Sequence, residues 1–305
     1  MSEHDESRRE GPGRPGTAVV DLTHLAASGR VPPAAVLARR ARRWGWWYYI
    51  EYWLVNARAW GVSIGLYMVV MPLVYLIALG LGLGTLVDRG VGTVGGSGGS
   101  SGVPYLTFVG PALLVATVVM SVGGELTYPV MAGFKWRRLY WGPSATPVSP
   151  EQIAVGHLGG VLIRFVLQST VFWVMLLLFG AAPSGWSWLT VPIGVLTAAA
   201  FGAPLQAYAA HLTDEGYQFA FVQRFVIMPM FLFAGTFFPL SVMPVYLQWI
   251  GWVSPVWHGT QLARQAAYGL VEAPWLTVVH VVVLLLCTGA GVLLARRTYA
   301  RRLGR

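Results

Sequence analysis

Few residues in this chain fall in spacings that do chemistry, and the missing ones narrow the field. The 305 residues include one lysine, Lys135, followed by Trp136. A phosphate-binding loop needs Gly-x-x-x-x-Gly-Lys-Ser/Thr, because its lysine holds the terminal phosphates. The chain therefore carries no Walker-type ATPase, and no lysine in an apolar run to form a Schiff base. Proton-driven carriers need carboxylates or histidines at membrane depth. Glu125 comes closest, at the end of an apolar run, while His157, His211, His258 and His280 read as isolated residues. There is no His-Glu-x-x-His, no other metal-ligand spacing and no Gly-x-Ser-x-Gly elbow. Cys287 lies in an apolar run without a disulfide or metal partner and reads as a small buried side chain. The expectation is no catalytic residue, no metal and no cofactor bound by this chain.

The elements around these residues are those of a membrane protein. The composition is 55% hydrophobic and 11% charged, with a mean hydropathy of +0.59. A soluble domain carries about 25% charged residues. The net charge of +9 does not point to nucleic acid, because the arginines are spread among lipid-length apolar runs and form no basic face. Six spans are expected, at about residues 61–84, 104–126, 161–180, 189–211, 219–239 and 275–295. Residues 1–35 lack an apolar core and read as a disordered cytoplasmic tail, and 85–103, which hold Asp88, Arg89 and the Gly-Ser run 95–102, as a flexible loop. Residues 240–273 are too apolar for a loop and too interrupted for a span, so they read as re-entrant or interfacial helices. The end, 296–305, reads as a basic tail.

Orientation follows from counting cations. With both termini in the cytoplasm, the inner set holds Arg39, Arg40, Arg42, Arg43, Arg58, Lys135, Arg137, Arg138, Arg296, Arg297, Arg301, Arg302 and Arg305. The outer set holds Arg89 and Arg264. Tryptophans form two belts at the same levels, Trp44 to Trp60 with Trp136 and Trp141 inside, and Trp186 to Trp275 outside, with Trp173 alone within a span.

Three segments carry the interest. Residues 39–58 are basic, then aromatic, and fit a helix in the inner interface. Its wheel is mixed, with Arg43, Glu51 and Arg58 beside Trp47 and Leu54, which would follow if that side also faces protein. Residues 131–141 have two readings: a positive-inside loop with belt tryptophans, or a short amphipathic helix whose aromatic knobs and cationic rim dock into a partner. Arg164 either snorkels to the headgroups or pairs with Glu125 or Glu151.

The stretch Pro229-Met230-Phe231-Leu232-Phe233-Ala234-Gly235-Thr236-Phe237-Phe238-Pro239-Leu240-Ser241, followed by Met243-Pro244, Trp249-Ile250 and Val253-Ser254-Pro255-x-x-His258-Gly259, resembles the signature of type-2 ABC exporter permeases. Gly124-Glu125-Leu126-Thr127-Tyr128-Pro129-Val130-Met131-x-Gly133-Phe134-Lys135-Trp136 and Ala145-Thr146-Pro147-x-Ser149-Pro150-x-x-Ile153-x-x-Gly156-His157 resemble the branch of the nodulation lipo-oligosaccharide permease, with the daunorubicin-resistance permease more distant. The resemblance covers about residues 45–300. It implies an all-α integral membrane fold, a transmembrane domain over 36–305, of six helices with an N-terminal interfacial helix and re-entrant helices between spans five and six. It implies a dimer, with itself or a sister permease, above separate ATPase subunits that hold the ATP and Mg. Phe134, Lys135, Trp136, Arg137, Arg138 and Tyr140 would then couple to the ATPase. Phe108, Leu114, Thr117, Phe231, Phe233 and Phe237 would line the substrate path. From the residues themselves, Glu125 and Arg164 are the expected structural ion pair.

The expected protein is a multi-pass plasma-membrane permease, not itself an enzyme, exporting a lipo-oligosaccharide, glycolipid or drug-like amphiphile on a partner's ATP hydrolysis. Its other expected contacts are membrane lipids. A secondary or passive transporter without an ATPase, and a lipid-acting membrane enzyme, are the rivals.

Overall fold

The computed structural model describes residues 32–90, 92–94, 102–214 and 216–304, without the side chains of Trp60 and Leu81. The expected tail over 1–31, the Gly-Ser loop over 95–101, Glu215 of the 213–216 turn, Arg305 and the Trp60 side chain lie outside the described residues. Residues 1–40 and 41–305 form two units. The described part of the first opens helix α1 (Ala34–Ala57), and every later element belongs to the second.

The described residues are almost wholly helical, with one isolated bridge between Val94 and Val103. Within residues 41–57, α1 turns Gly45, Tyr49 and Ile50 inward. Its mixed side leaves Arg43, Trp47, Glu51 and Arg58 exposed and Leu54 half-buried, so the side packed within this chain is the neighbouring one. The seat for that face is built on α6 (Pro150–Leu178) from Gly156, Gly159 and Gly160. A β-carbon at Gly156 would lie 2.6 Å from the Trp46 carbonyl, and one at Gly160 2.8 Å from the Trp53 indole. Lipid gives no hydrophobic drive between helices, so close approach through small residues supplies the dispersion contact instead.

Among the described residues, five helices are long and apolar enough to cross a membrane. They are α2 (Gly61–Gly90), α3 (Tyr105–Glu125) with its short extension α4 (Tyr128–Phe134), α6, α7 (Thr190–His211) and α11 (Pro274–Leu303). A four-residue helix α5 (Trp141–Ser144) precedes α6. The apolar stretch expected as span five is a shorter helix, α8 (Gln218–Phe233), with a wide π turn at Gln223–Ile227. It stops at Ala234 because Gly235 takes a left-handed φ of +75°, a conformation that glycine adopts without steric cost. Phe237 therefore sits beyond the helix. Then come α9 (Val245–Val253) and α10 (Pro255–Tyr268), the second capped by Ser254 and ended by left-handed Gly269.

Three boundaries move. Helix α2 continues through Thr85–Gly90, where the expected flexible loop over 85–103 was to begin. Helix α6 starts at Pro150, well before the expected Val161, because Ser149 and Gln152 form a capping box in front of Pro150. Helix α11 runs to Leu303, so the expected basic tail is the last turns of a helix.

Helix α7 is the hub. Its Ala198, Ala199, Ala200, Ala203, Ala209 and Ala210 are buried, and α3, α6, α10 and α11 all pack on it. Gly202 admits Val122 and Leu126 of α3, and Gly291 of α11 rests on Pro204. Helix α3 is the most enclosed, with 83% of its apolar stretch buried, against 17% for α2 and 22% for α11.

Candidate functional site at one end of the bundle

The segment after α3 folds back on itself. Thr127 Oγ1 donates to Gly123 O (2.6 Å) and Pro129 starts α4. After Phe134 the chain turns through Arg138, which holds a left-handed φ of 51° although it is not glycine. Arg137 N donates to Ala132 O (2.8 Å) and Tyr140 N to Gly133 O (3.2 Å), closing the turn. Gly133 is required here, because any side chain would enter the Tyr140 ring.

This geometry splits the predicted coupling residues. Lys135, Trp136, Arg137 and Arg138 are exposed, together with Leu139 and Trp141. Phe134 and Tyr140 are not surface knobs, which corrects that expectation: both are buried. Phe134 lies 4.7 Å from Tyr140 and 4.8 Å from Tyr299 of α11, centroid to centroid. Tyr140 Oη lies 3.0 Å from His157 Nδ1 of α6. Burial, reinforced by neighbouring Tyr299 and Tyr49, pushes the Tyr140 phenol well above its ordinary value, so it stays neutral. Arg302 stacks on Phe134 at 4.2 Å and donates to Ala210 O (2.7 Å) and Leu212 O (2.8 Å) at the end of α7. One short turn is thus keyed into α6, α7 and α11 together.

Of the two carboxylates expected for Arg164 of α6, Glu125 at the last residue of α3 is the one it pairs with. The next rung is Gln168 Nε2 to Ser121 Oγ (3.2 Å).

The predicted path residues are brought together only in part. Phe108, Leu114 and Phe231 belong to one buried cluster, with Phe237 packed against it. Phe231 meets Phe237 edge-on at 5.3 Å and Tyr75 at 6.4 Å. Thr117 is buried, with its hydroxyl bonded to Leu113 O (2.7 Å), and Phe233 is half-buried.

The histidines at the other end are not isolated, and that expectation fails. His258 Nδ1 and His280 Nδ1 are 2.7 Å apart, and His280 Nε2 is 3.3 Å from Glu272 Oε2. Their protonation follows from the partners. His258 Nε2 faces the Trp252 carbonyl (3.0 Å), so it carries a hydrogen. In the neutral ring Nδ1 then accepts, and His280 Nδ1 must donate. Both Glu272 oxygens accept from amides of Gln261 and Gln265, so the carboxylate is ionised and His280 Nε2 donates to it. Burial alone would raise the Glu272 carboxyl, but hydrogen bonds from His280, Gln265 and Gln261 outweigh it and hold it below the usual range. Beside this chain Arg264, read from sequence as an outer loop charge, is 2% exposed. It lies 3.7 Å over Phe108 and donates to the carbonyls of Phe108 (3.1 Å), Gly235 (2.8 Å) and Thr236 (3.3 Å). Gln261, Arg264, Gln265 and Tyr268 recur at helical spacing, and that stripe was the overlooked signal.

Comparison with known proteins agrees with this architecture. A family model described as ABC-2 type transporter matches residues 48–268. Nodulation protein J of Sinorhizobium fredii is 27% identical over 240 residues, 76% of this chain and 84% of the relative. Nodulation protein J of Rhizobium meliloti is 27% identical over 242 residues, 77% of this chain and 85% of the relative. Inner membrane transport permease YadH of Escherichia coli K12 is 23% identical over 241 residues, 76% of this chain and 90% of the relative.

Proposed function

This chain belongs to the ABC-2 type transporter family, and from that premise we propose that it is the permease of an exporter driven by a separate ATPase. Membrane subunits of this family are in general not catalytic and work with an ABC ATPase. The proposal adds the particulars. ATP and Mg bind on the partner. The ATPase docks on Lys135, Trp136, Arg137 and Arg138, with Phe134 and Tyr140 as the buried root that carries the push inward. The Glu125–Arg164 pair keeps α3 and α6 in step. Two permeases, identical or sister chains, enclose a route for a lipo-oligosaccharide, glycolipid or drug-like amphiphile past Phe108, Leu114, Thr117, Phe231, Phe233 and Phe237. The protein lies in the plasma membrane with both termini cytoplasmic.

The observation that carries this reading is the turn itself. An exposed basic and aromatic tip sits directly on an aromatic core shared by α4, α6 and α11. The test is co-purification with a co-expressed candidate ABC ATPase, then hydrolysis assays in lipid nanodiscs. A stable complex with vanadate-sensitive hydrolysis is expected, and no binding of the ATPase would overturn the reading. The secondary-transport alternative has one observation in its favour, the His258–His280–Glu272 chain. It requires transport without the ATPase that collapses when a protonophore removes the proton gradient.

A further inference from the structure

One side chain ties together the end of the bundle opposite the coupling turn. Phe108 lies in the first turn of α3, and the coupling turn follows the last. There Arg264 of α10 bonds the Phe108 carbonyl through Nε, and the Gly235 and Thr236 carbonyls through Nη2. Its Nη1 donates to Gln261 Oε1 (3.1 Å), one turn back on α10, and Gln261 Nε2 donates to Glu272. Three stretches far apart in sequence thus meet on one buried cation: α3, the strap after α8 (234–239) and α10. Among the described residues Arg264 is in no ion pair.

These bonds cross the place where the predicted route has to open. Phe108 on α3 and Phe237 on the strap pack in one cluster, and Gly235 and Thr236 immediately precede Phe237. The Phe108 ring itself lies under the guanidinium, 3.7 Å away. Helix α3 cannot part from the strap without breaking the bonds on one side or the other. The acceptors suit a closure that has to reopen. While the site is dry, a guanidinium stripped of its carbonyls is a buried unpaired charge, which is strongly unfavourable. Once water enters, it replaces each carbonyl at modest net cost.

We propose that Arg264 latches this end of the route. Its bonds to Phe108, Gly235 and Thr236 hold the route shut at rest and give way to water when α3 parts from the strap during transport. Gln261 keeps the guanidinium on α10 throughout. Arg264 is thus a positioning residue for export, and the inference rests on the permease reading for the route.

The test places a thiol on the strap. Thr236 is 0% exposed and its hydroxyl has no partner, so Thr236→Cys removes no hydrogen bond. Cys287 is first replaced by alanine, and the full chain in nanodiscs is labelled with a water-soluble maleimide. Thr236→Cys alone labels slowly, and adding Arg264→Met speeds labelling at least about tenfold. Arg264→Lys falls between, because an ammonium keeps the charge but cannot span three carbonyls. Ser169→Cys on α6, equally buried and also with an unpartnered hydroxyl, separates a latch from general loosening. Its rate stays the same when Arg264→Met is added. Equal acceleration at both thiols, or none at Thr236→Cys, overturns the proposal. If Arg264→Met does not fold, the native arginine is tested with the ATPase bound. ATP turnover then speeds labelling of Thr236→Cys, and an unchanged rate overturns the latch. Labelling of the Arg264 variants needs no ATPase, so its failure leaves the exporter reading standing, and failure to find an ATPase complex leaves that labelling result standing.

Discussion

At the residue scale, Glu272 and Arg264 show how a permease hides charge. Arg264 gives its hydrogens to the Phe108 carbonyl within α3 and to the Gly235 and Thr236 carbonyls of the irregular chain after α8. Glu272 collects two glutamine amides and His280. Because the folded Glu272 carboxyl is held below its ordinary value, its contribution is present above the unfolded value of about 4.3 and is lost as pH falls through the lower folded one. Thermal melts in detergent should fall on acidification into that window. Glu272→Gln should cost about 2 kcal/mol at neutral pH and flatten the acid limb, and an unchanged limb would contradict the assignment. The histidine pair could not be read as a motif. His258 and His280 are 22 positions apart in sequence and lie on different helices. The Glu125–Arg164 pair was legible, since two charges bordering apolar runs have few other partners.

At the element scale, glycine decides where helices touch. Gly156, Gly159 and Gly160 make a flat seat on α6 for Tyr49, Ile50 and Trp53 of α1. Gly160→Leu should displace α1 and cost about 1–3 kcal/mol by overpacking. Limited proteolysis of the 41–57 segment reads this directly: faster cleavage is predicted, and wild-type cleavage would show that α1 is held elsewhere. The helices themselves were legible because lipid-length apolar runs need no partner to announce them. Their ends were not. Ser149-Pro150-x-Gln152 signals the start of α6 well outside the apolar run, and hydropathy passes over it. The arginines near the end of α11 look like a tail but continue the helix, with Arg302 reaching back to close α7. Helix α8 looks like a full span until Gly235 turns left-handed.

At the scale of the whole molecule, the enclosed α3 and α7 form a rigid centre, while α2 and α11 leave most of their apolar surface open to lipid or to another chain. The predicted path residues Phe108 and Leu114 lie inside that centre. A route past them requires the helices around α3 to part, which is work that a static chain does not supply. The turn at Phe134–Tyr140 is where such work can enter, because it touches α6 and α11 at once. This division was legible only as a family likeness; the burial of Phe134 and Tyr140 depends on Gly133 and Arg138, whose backbone shapes no hydropathy pattern encodes.

The most direct measurement is the substrate-stimulated hydrolysis rate of the reconstituted permease–ATPase complex carrying Arg137→Glu and Arg138→Glu together. These side chains are exposed and leave the aromatic core untouched. The account predicts that the complex still assembles and that stimulation falls at least about tenfold, as loss of about 1.4 kcal/mol of coupling would give. Wild-type stimulation in the double variant would contradict it.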